Sequence, residues 1–159
     1  MDLPKRKNIR LNNYDYRQNG AYFITMCIKD KHELLGTIVG TTALGRPDIT
    51  LTAIGQCVDE TIQKANTDNV KIYKYVIMPN HIHMIVILGK DRDDRGRSSL
   101  QQVVRNIKSF VTKWAGFSMC QPRFHDHIIR NEDEYRRIWQ YIDENPCKWA
   151  EDKYYCDNG

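Results

Sequence analysis

The 159-residue sequence is marked first by what it lacks. It holds no run of about 18 consecutive apolar residues, which excludes a membrane-spanning helix. The basic first residues, MDLPKRKNIR, lead into no apolar segment, so we expect no secretory signal. The five cysteines are odd in number and form no CxxC pair, which argues against a disulfide framework and against a zinc ribbon. These absences favour a cytoplasmic protein with reduced thiols and no membrane partner.

The composition favours one folded domain. Hydrophobic residues make up 41% of the chain and the formal net charge is only +4, so disorder is excluded as the main state. The length is close to that of an average domain, and we predict a single domain over residues 1–159. Within it, residues 1–17 form a basic arm that we expect to be flexible.

Hydrophobic periodicity predicts alternating strands and helices. Strands are expected at 21–29, 34–40, 70–78, 81–88 and 123–130. Amphipathic helices are expected from Thr52 to about 66–69, from Ser98 or Ser99 to Gly116, and from Asn131 to Pro146. Loops are expected at 41–50 and 89–99. The first two strands should form a β-hairpin, as should the next two. This order favours an α+β fold, an antiparallel sheet covered by helices mainly on one face.

The sharpest chemical feature is His81-Ile82-His83, which lies in the most strand-like segment. Side chains of a strand alternate between faces, so the two imidazoles should point the same way while Ile82 points into the core. Their Cα atoms should lie about 6.6–7 Å apart, which allows both rings to bind one divalent metal ion. The alternative interpretation is two surface histidines placed together by chance.

Two further groups of polar residues accompany this pair. His125 and His127 flank Asp126 in a predicted strand, where they could support the site or simply occupy a sheet edge. Tyr141 and Asn145 are four residues apart on the last predicted helix and should therefore share a helical face. Tyr141 could supply a nucleophile and Asn145 a metal-binding carbonyl oxygen, although packing is the commoner role of a lone tyrosine on such a helix.

Together these motifs resemble those of the single-tyrosine HUH transposases, above all the REP-associated tyrosine transposases and their insertion-sequence relatives. The matching stretches are GAYFITMCI (20–28), YVIMPNHIHMIVIL (75–88) and QPRFHDHIIRNEDEYRRIWQYIDENPCKW (121–149). The resemblance implies a ferredoxin-like or RRM-like antiparallel sheet plus a C-terminal helix that carries the tyrosine. It also implies Mg²⁺ or Mn²⁺ as the cofactor. The residues that it assigns are the metal ligands His81, His83 and Asn145, the nucleophile Tyr141 and the supporting residue His127.

The activity implied by the resemblance is cleavage and rejoining of single-stranded DNA through a 5′-phosphotyrosine intermediate, with a DNA hairpin or palindromic repeat as the recognised element. The basic residues expected to contact DNA are Arg105, Lys108, Arg123, Arg130, Arg136 and Arg137. Two other functions stay open: a nucleic-acid-binding domain of the same fold without cleavage, and a metal-dependent phosphoesterase that uses water. A homodimer, in which the tyrosine helix acts across subunits, also stays open.

Overall fold

The structure, a computed structural model, describes residues 20–41, 47–89 and 96–155. The predicted basic arm and most of the predicted loop 89–99 lie outside the described residues. The strands are β1 (Ala21–Cys27), β2 (Gly36–Thr41), β3 (Pro47–Leu51), β4 (Val70–Ile77), β5 (His81–Leu88) and β6 (His125–Ile129). The helices are α1 (Ala53–Lys64), α2 (Gly96–Ala115), α3 (Glu132–Glu144), a short 3₁₀ turn (Lys29–Lys31) and a C-terminal 3₁₀ helix (Asn145–Glu151).

Four strands form the main antiparallel sheet, in the order β4-β5-β1-β6. Helix α1 lies between β1 and β4 in the chain, and α2 lies between β5 and β6. Each helix therefore crosses over one intervening strand, which is the split βαβ arrangement of ferredoxin-like folds. The predicted α+β class and its antiparallel sheet are confirmed.

The two faces of this sheet pack against different helices. Ile82 and Met84 of β5 join the core that includes α1 and α2. Ile85 and Ile87 join a second core with Tyr135 of α3. Because side chains alternate along β5, the two histidines next to Ile82 lie on the face that α3 covers. The helix predicted to carry the nucleophile and the predicted metal ligands thus share one face.

The predicted β-hairpin between 21–29 and 34–40 is wrong. Strand β2 pairs instead with β3 in a separate two-stranded sheet. Strand β1 is paired with β5 on one side and with β6 on the other, so it has no free edge for β2. The loop predicted over 41–50 is also wrong in its second half, because Pro47 begins β3 at the strand position that tolerates proline.

A β-bulge in β4 changes the faces on which its side chains lie. The register with β5 shifts between Ile72 and Lys74, so the strict alternation of a regular strand is broken there. Tyr75 packs against the core of α1 and α2, whereas Val76 packs against the core of α3. The bulge also lets Lys74 form an ion pair of 3.0 Å with Asp143 of α3.

The helix ends follow local signals with one exception. Asn131 caps α3, as predicted, since its side chain accepts a hydrogen bond from a backbone N–H of the first turn. Helix α2 begins at Gly96, so the start predicted at Ser98 or Ser99 is wrong. It ends before Gly116, whose φ of 87° glycine adopts without strain. Among the described residues, no helix is long and apolar enough to cross a membrane.

Candidate active site

The histidine pair sits at the start of β5, directly after the Pro79-Asn80 turn. His81 and His83 are both buried, with exposed fractions of 0% and 1%. Their ring centroids lie 4.6 Å apart. Two chance surface histidines would be exposed, so the burial of this pair is evidence against that interpretation.

One ring nitrogen of each histidine has a polar partner. The Nδ1 atom of His81 donates to Oδ1 of Asn80 at 2.9 Å, and Nδ1 of His83 lies 2.8 Å from the hydroxyl of Thr25. Both Nε2 atoms are buried without a hydrogen-bond partner among the described residues. Leaving buried polar atoms unpaired is costly, so two such atoms side by side fit a ligand that both can bind.

Helix α3 brings Tyr141 and Asn145 to this pair within the same chain. The Tyr141 ring lies 5.2 Å from the ring of His83 and 6.0 Å from that of Phe23. Asn145 is buried and its Nδ2 donates to the carbonyl of Tyr141 at 3.4 Å. Its Oδ1 atom is buried without a hydrogen-bond partner in the described part of the chain. The helical spacing therefore places both side chains where the sequence analysis expected them.

The segment after α3 contributes an acidic residue that sequence reasoning missed. Asp152 follows the 3₁₀ helix, and its Oδ2 lies 3.9 Å from Nε2 of His81. The ligand atoms of Asp152, His81 and His83 all lie within 4.8 Å of one another. The acidic tail gave no local signal for this role, because the tail reaches β5 only through long-range contacts.

The donor set of this site fits a divalent cation. Imidazole nitrogens with an amide oxygen and a carboxylate oxygen make the mixed nitrogen and oxygen set that Mn²⁺ accepts, while Mg²⁺ favours the oxygen donors. Asn145 is the predicted oxygen donor and Asp152 is an additional one. The carboxylate of Asp152 supplies a negative charge that the predicted donor set lacked.

Burial controls the protonation of the two histidines. Desolvation lowers the pKa of His81 to about 4, although the nearby carboxylate of Asp152 opposes the shift. Desolvation lowers the pKa of His83 to about 2, and the charges of His81 and Lys153 act in the same direction. Both imidazoles are therefore neutral at pH 7, the form that binds metal ions.

A second tyrosine, which the sequence analysis did not single out, also contacts the pair. The Tyr154 ring lies 4.4 Å from the ring of His81. Burial, together with a hydrogen bond to Cys27, raises the pKa of Tyr154 far above its ordinary value. Burial also raises the pKa of Tyr141, but a hydrogen bond with Asn145 opposes that shift. The surroundings of Tyr154 therefore oppose loss of its phenolic proton, whereas Asn145 partly offsets this effect at Tyr141.

The remaining predicted residues near α3 lie outside the metal-ligand cluster. His127 is on the same sheet face as the histidine pair, but β1 separates it from β5. It lies opposite Phe23 and is hydrogen-bonded to Glu134. Three of the residues predicted to contact DNA lie near the start of α3. Arg130 precedes the helix, and Arg136 and Arg137 lie within it. Of these, Arg136 is paired with Glu132 at 2.6 Å.

The other three predicted DNA contacts line one groove on the opposite face of the sheet. Arg105 and Lys108 of α2 face Arg123, which precedes β6, across a groove of about 910 Å³. Lys113 lines the same groove and was not predicted. Its position eight residues after Arg105 places it on the same helical face, a signal that could have identified it.

Comparison with known proteins identifies the family, although no family model matches the chain. An uncharacterised protein of Haemophilus influenzae is 34% identical over 178 aligned positions, which span 98% of this chain and 96% of that protein. The REP-associated tyrosine transposase of Escherichia coli K12 is 30% identical over 135 positions, which span 84% of this chain and 70% of that protein. The chain belongs to the REP-associated tyrosine transposase family.

A solved structure supports this assignment. It is that of a REP-associated tyrosine transposase bound to a REP hairpin, and it is 28% identical to this chain with a TM-score of 0.63. The superposition covers 91% of this chain and 76% of the other. The fold and the family resemblance predicted from the motifs are thereby confirmed.

Proposed function

We propose that this member of the REP-associated tyrosine transposase family cleaves and rejoins single-stranded DNA, with Tyr141 as nucleophile. The observation that carries the proposal is the contact of the Tyr141 ring with His83, beside two buried and unpaired Nε2 atoms. The metal ligands are His81, His83 and Asn145, with Asp152 as an additional donor, and the cofactor is Mn²⁺ or Mg²⁺. Hairpin DNA is the proposed partner, supported by the relative that was solved with a REP hairpin.

The reaction proceeds by attack of the Tyr141 hydroxyl on a phosphodiester. A bond forms between Oη and phosphorus while the bond from phosphorus to the 3′ oxygen breaks, which leaves a 5′-phosphotyrosine and a free 3′-OH. The phenol releases its proton to solvent, which reaches this exposed side chain, and the departing 3′ oxygen takes up one proton. Because the new ester keeps the phosphodiester energy, attack by a 3′-OH rejoins DNA without a nucleotide cofactor.

The residues of the site hold the reacting groups in place. A bound cation supplies Lewis-acid activation of the scissile phosphate. The two histidines each have a polar partner at Nδ1, which leaves both Nε2 atoms buried and unpaired. The ligand atoms of the pair lie within 4.8 Å of each other and of Asp152. Asn145 acts at both ends of its amide, since Nδ2 donates to the Tyr141 carbonyl while Oδ1 is free to bind the cation. Tyr141 is carried by a helix that packs on the sheet, so its hydroxyl reaches only a strand that is not stacked in a duplex.

The groove between α2 and β6 is the proposed binding surface for the DNA backbone. Arg105, Lys113 and Arg123 form no ion pair within the described ranges, and Asp126 is the only acidic residue that lines the groove there. The Nζ atom of Lys108 donates a hydrogen bond to the carbonyl of Gln121 at 2.7 Å, which holds this side chain in the wall of the groove. Since β6 lies at one edge of the main sheet, DNA bound here reaches Tyr141 by passing around that edge.

The test of cleavage is a strand-specific adduct. Stem-loop oligonucleotides with randomised single-stranded flanks are incubated with the protein and Mn²⁺, then separated on a denaturing gel. A 3′ label is expected to shift to the protein and a 5′ label is expected to appear on a shortened free strand. Hairpin binding without any adduct would instead support a binding domain, and cleavage without an adduct would support a phosphoesterase that uses water.

Removing two groove cations is expected to weaken hairpin binding and to reduce its salt dependence. The slope of log K against log salt is negative and reflects the number of phosphate contacts. In an Arg105→Ala/Lys113→Ala variant, loss of two contacts should make this slope shallower by about 1.8 for a duplex stem. Fluorescence anisotropy of a labelled hairpin at several KCl concentrations measures this slope. A Lys64→Ala/Lys71→Ala control removes two exposed cations outside the groove. Equal slopes in the two variants would contradict the proposed surface.

A further inference from the structure

The buried side chain of Asn80 connects three separate parts of the chain at the edge of the site. Asn80 lies in the turn between β4 and β5 and is 2% exposed. Its Oδ1 accepts from Nδ1 of His81 at 2.9 Å. Its Nδ2 donates to the carbonyl of Tyr154 at 2.7 Å and to that of Lys31 at 3.3 Å. The three hydrogen bonds of this amide therefore connect it to His81, to the C-terminal segment and to the turn at Lys31.

These contacts determine which nitrogen of His81 carries the proton. Two carbonyl oxygens near Nδ2 can only accept, so that end of the amide must be the NH₂ group and the other end must be Oδ1. An amide oxygen can only accept, so Nδ1 of His81 must be the donor. In the neutral ring, Nε2 is then the unprotonated nitrogen, and it lies next to Asp152 at 3.9 Å from Oδ2.

The NH₂ group of Asn80 holds the segment that carries Asp152. Tyr154, whose carbonyl it binds, also donates its backbone N–H to Oδ1 of Asp152 at 2.8 Å. The same NH₂ group donates to the carbonyl of Lys31, and both Asp30 and Lys31 have a φ of 56°. Non-glycine residues adopt this left-handed conformation only where their surroundings hold them. Asn80 thus ties a strained turn and the C-terminal segment to the start of β5.

We propose that Asn80 is the positioning residue that assembles this metal site. Its oxygen fixes His81 in the Nδ1–H tautomer, so that Nε2 is the metal-binding atom. Its NH₂ group holds the C-terminal segment so that the carboxylate of Asp152 stays beside that atom. The assignment of the ligand as a metal rests on the proposed function, but the tautomer and the tether are properties of the protein alone.

Two substitutions separate the two halves of this role. Asn80→Asp keeps an oxygen acceptor for His81 and removes both N–H donors, whereas Asn80→Ala removes all three hydrogen bonds. Asn66→Ala is the matched control, because Asn66 also accepts from one backbone N–H at 2.8 Å and donates to one carbonyl at 3.2 Å, away from the site. Thermal unfolding of each variant measures whether the fold is kept.

The tautomer is read in the metal-free protein by long-range ¹⁵N–¹H correlation of the imidazoles at pH 7, with His81→Gln for assignment. We expect the Nδ1–H form of His81 in the wild type, in Asn80→Asp and in Asn66→Ala, and a mixture of tautomers in Asn80→Ala. An Nε2–H form in the wild type, or no change in Asn80→Ala, would overturn the proposal. Because the wild type alone can refute it, a poorly folding variant does not remove the test.

The tether is read by hydrogen exchange of the peptide that spans 145–155. Exchange should be faster in Asn80→Asp and in Asn80→Ala but unchanged in Asn66→Ala. Mn²⁺ affinity, measured by electron paramagnetic resonance of the free ion, should fall about 10–100-fold in Asn80→Ala and less in Asn80→Asp. Unchanged exchange in both Asn80 variants would refute the tether. A wild type that binds no Mn²⁺ would count against the proposed function, while the tautomer and exchange results would still decide the role of Asn80.

Discussion

A Tyr141→Phe variant is expected to lose the covalent DNA adduct while keeping its fold and its affinity for hairpin DNA. The substitution removes only the attacking oxygen and keeps the ring that lies 5.2 Å from His83 and 6.0 Å from Phe23. We expect adduct formation to fall roughly 10³-fold or more, because removing a nucleophile removes the covalent step itself. The measurement is transfer of a 3′-labelled oligonucleotide to the protein on a denaturing gel, alongside hairpin affinity by anisotropy.

The matched control for this experiment is Tyr154→Phe. Tyr154 also contacts the histidine pair, at 4.4 Å from the ring of His81, but its hydroxyl is hydrogen-bonded to Cys27 and its pKa is raised far above the ordinary range. We expect this variant to keep the adduct. If the adduct were lost in Tyr154→Phe and kept in Tyr141→Phe, the nucleophile would be Tyr154. If Tyr141→Phe still cut the strand without any adduct, water would be the nucleophile and the protein a phosphoesterase.

The free energy of unfolding of the metal-free protein is expected to fall steeply as the pH drops below about 6.5. The folded protein holds the pKa of His81 at about 4 and that of His83 at about 2, both below the ordinary value of 6.5. Between these values the unfolded chain binds more protons than the folded protein, so acid favours unfolding. Each imidazole contributes on the order of 1.4 kcal/mol per pH unit in its window. Urea unfolding at a series of pH values in EDTA measures the slope.

Two variants test whether the buried pair causes this dependence. In His81→Gln/His83→Gln the slope between pH 6.5 and 4.5 should become much flatter, because neither buried group can then bind a proton. His125→Gln removes an exposed histidine of β6 and should leave the slope as it is in the wild type. Mn²⁺ should raise the stability of the wild type but not that of the double variant. A double variant with the slope of the wild type would show that other groups control acid unfolding.

Much of the site follows from short-range patterns in the chain. Strand alternation is enough to place His81 and His83 on one face with Ile82 on the other, and the four-residue spacing of a helix is enough to join Tyr141 to Asn145. These periodicities are properties of the local backbone, so they hold wherever the element packs. The α+β class and the family likewise follow from the order of elements and from motifs read along the chain.

Other features arise only when distant segments meet. Strand β2 pairs with β3 because β5 and β6 already occupy both edges of β1. No local sequence pattern predicts that both edges are occupied. The bulge in β4 likewise depends on register with a partner strand. The groove of Arg105 and Arg123 exists because α2 packs beside the edge strand β6.

The same holds for the chemistry of the site. Asp152 and Tyr154 lie near the end of a polar tail, and nothing in their immediate sequence predicts that they contact His81. Asn80 lies in the turn between β4 and β5, and its hydrogen bonds to His81, Tyr154 and Lys31 exist only in the folded chain. Backbone periodicity determines which way a side chain points, so the spacing of these residues was enough to predict which of them share a face. Which partners a side chain meets depends on contacts between residues far apart in sequence, and those contacts exist only after folding.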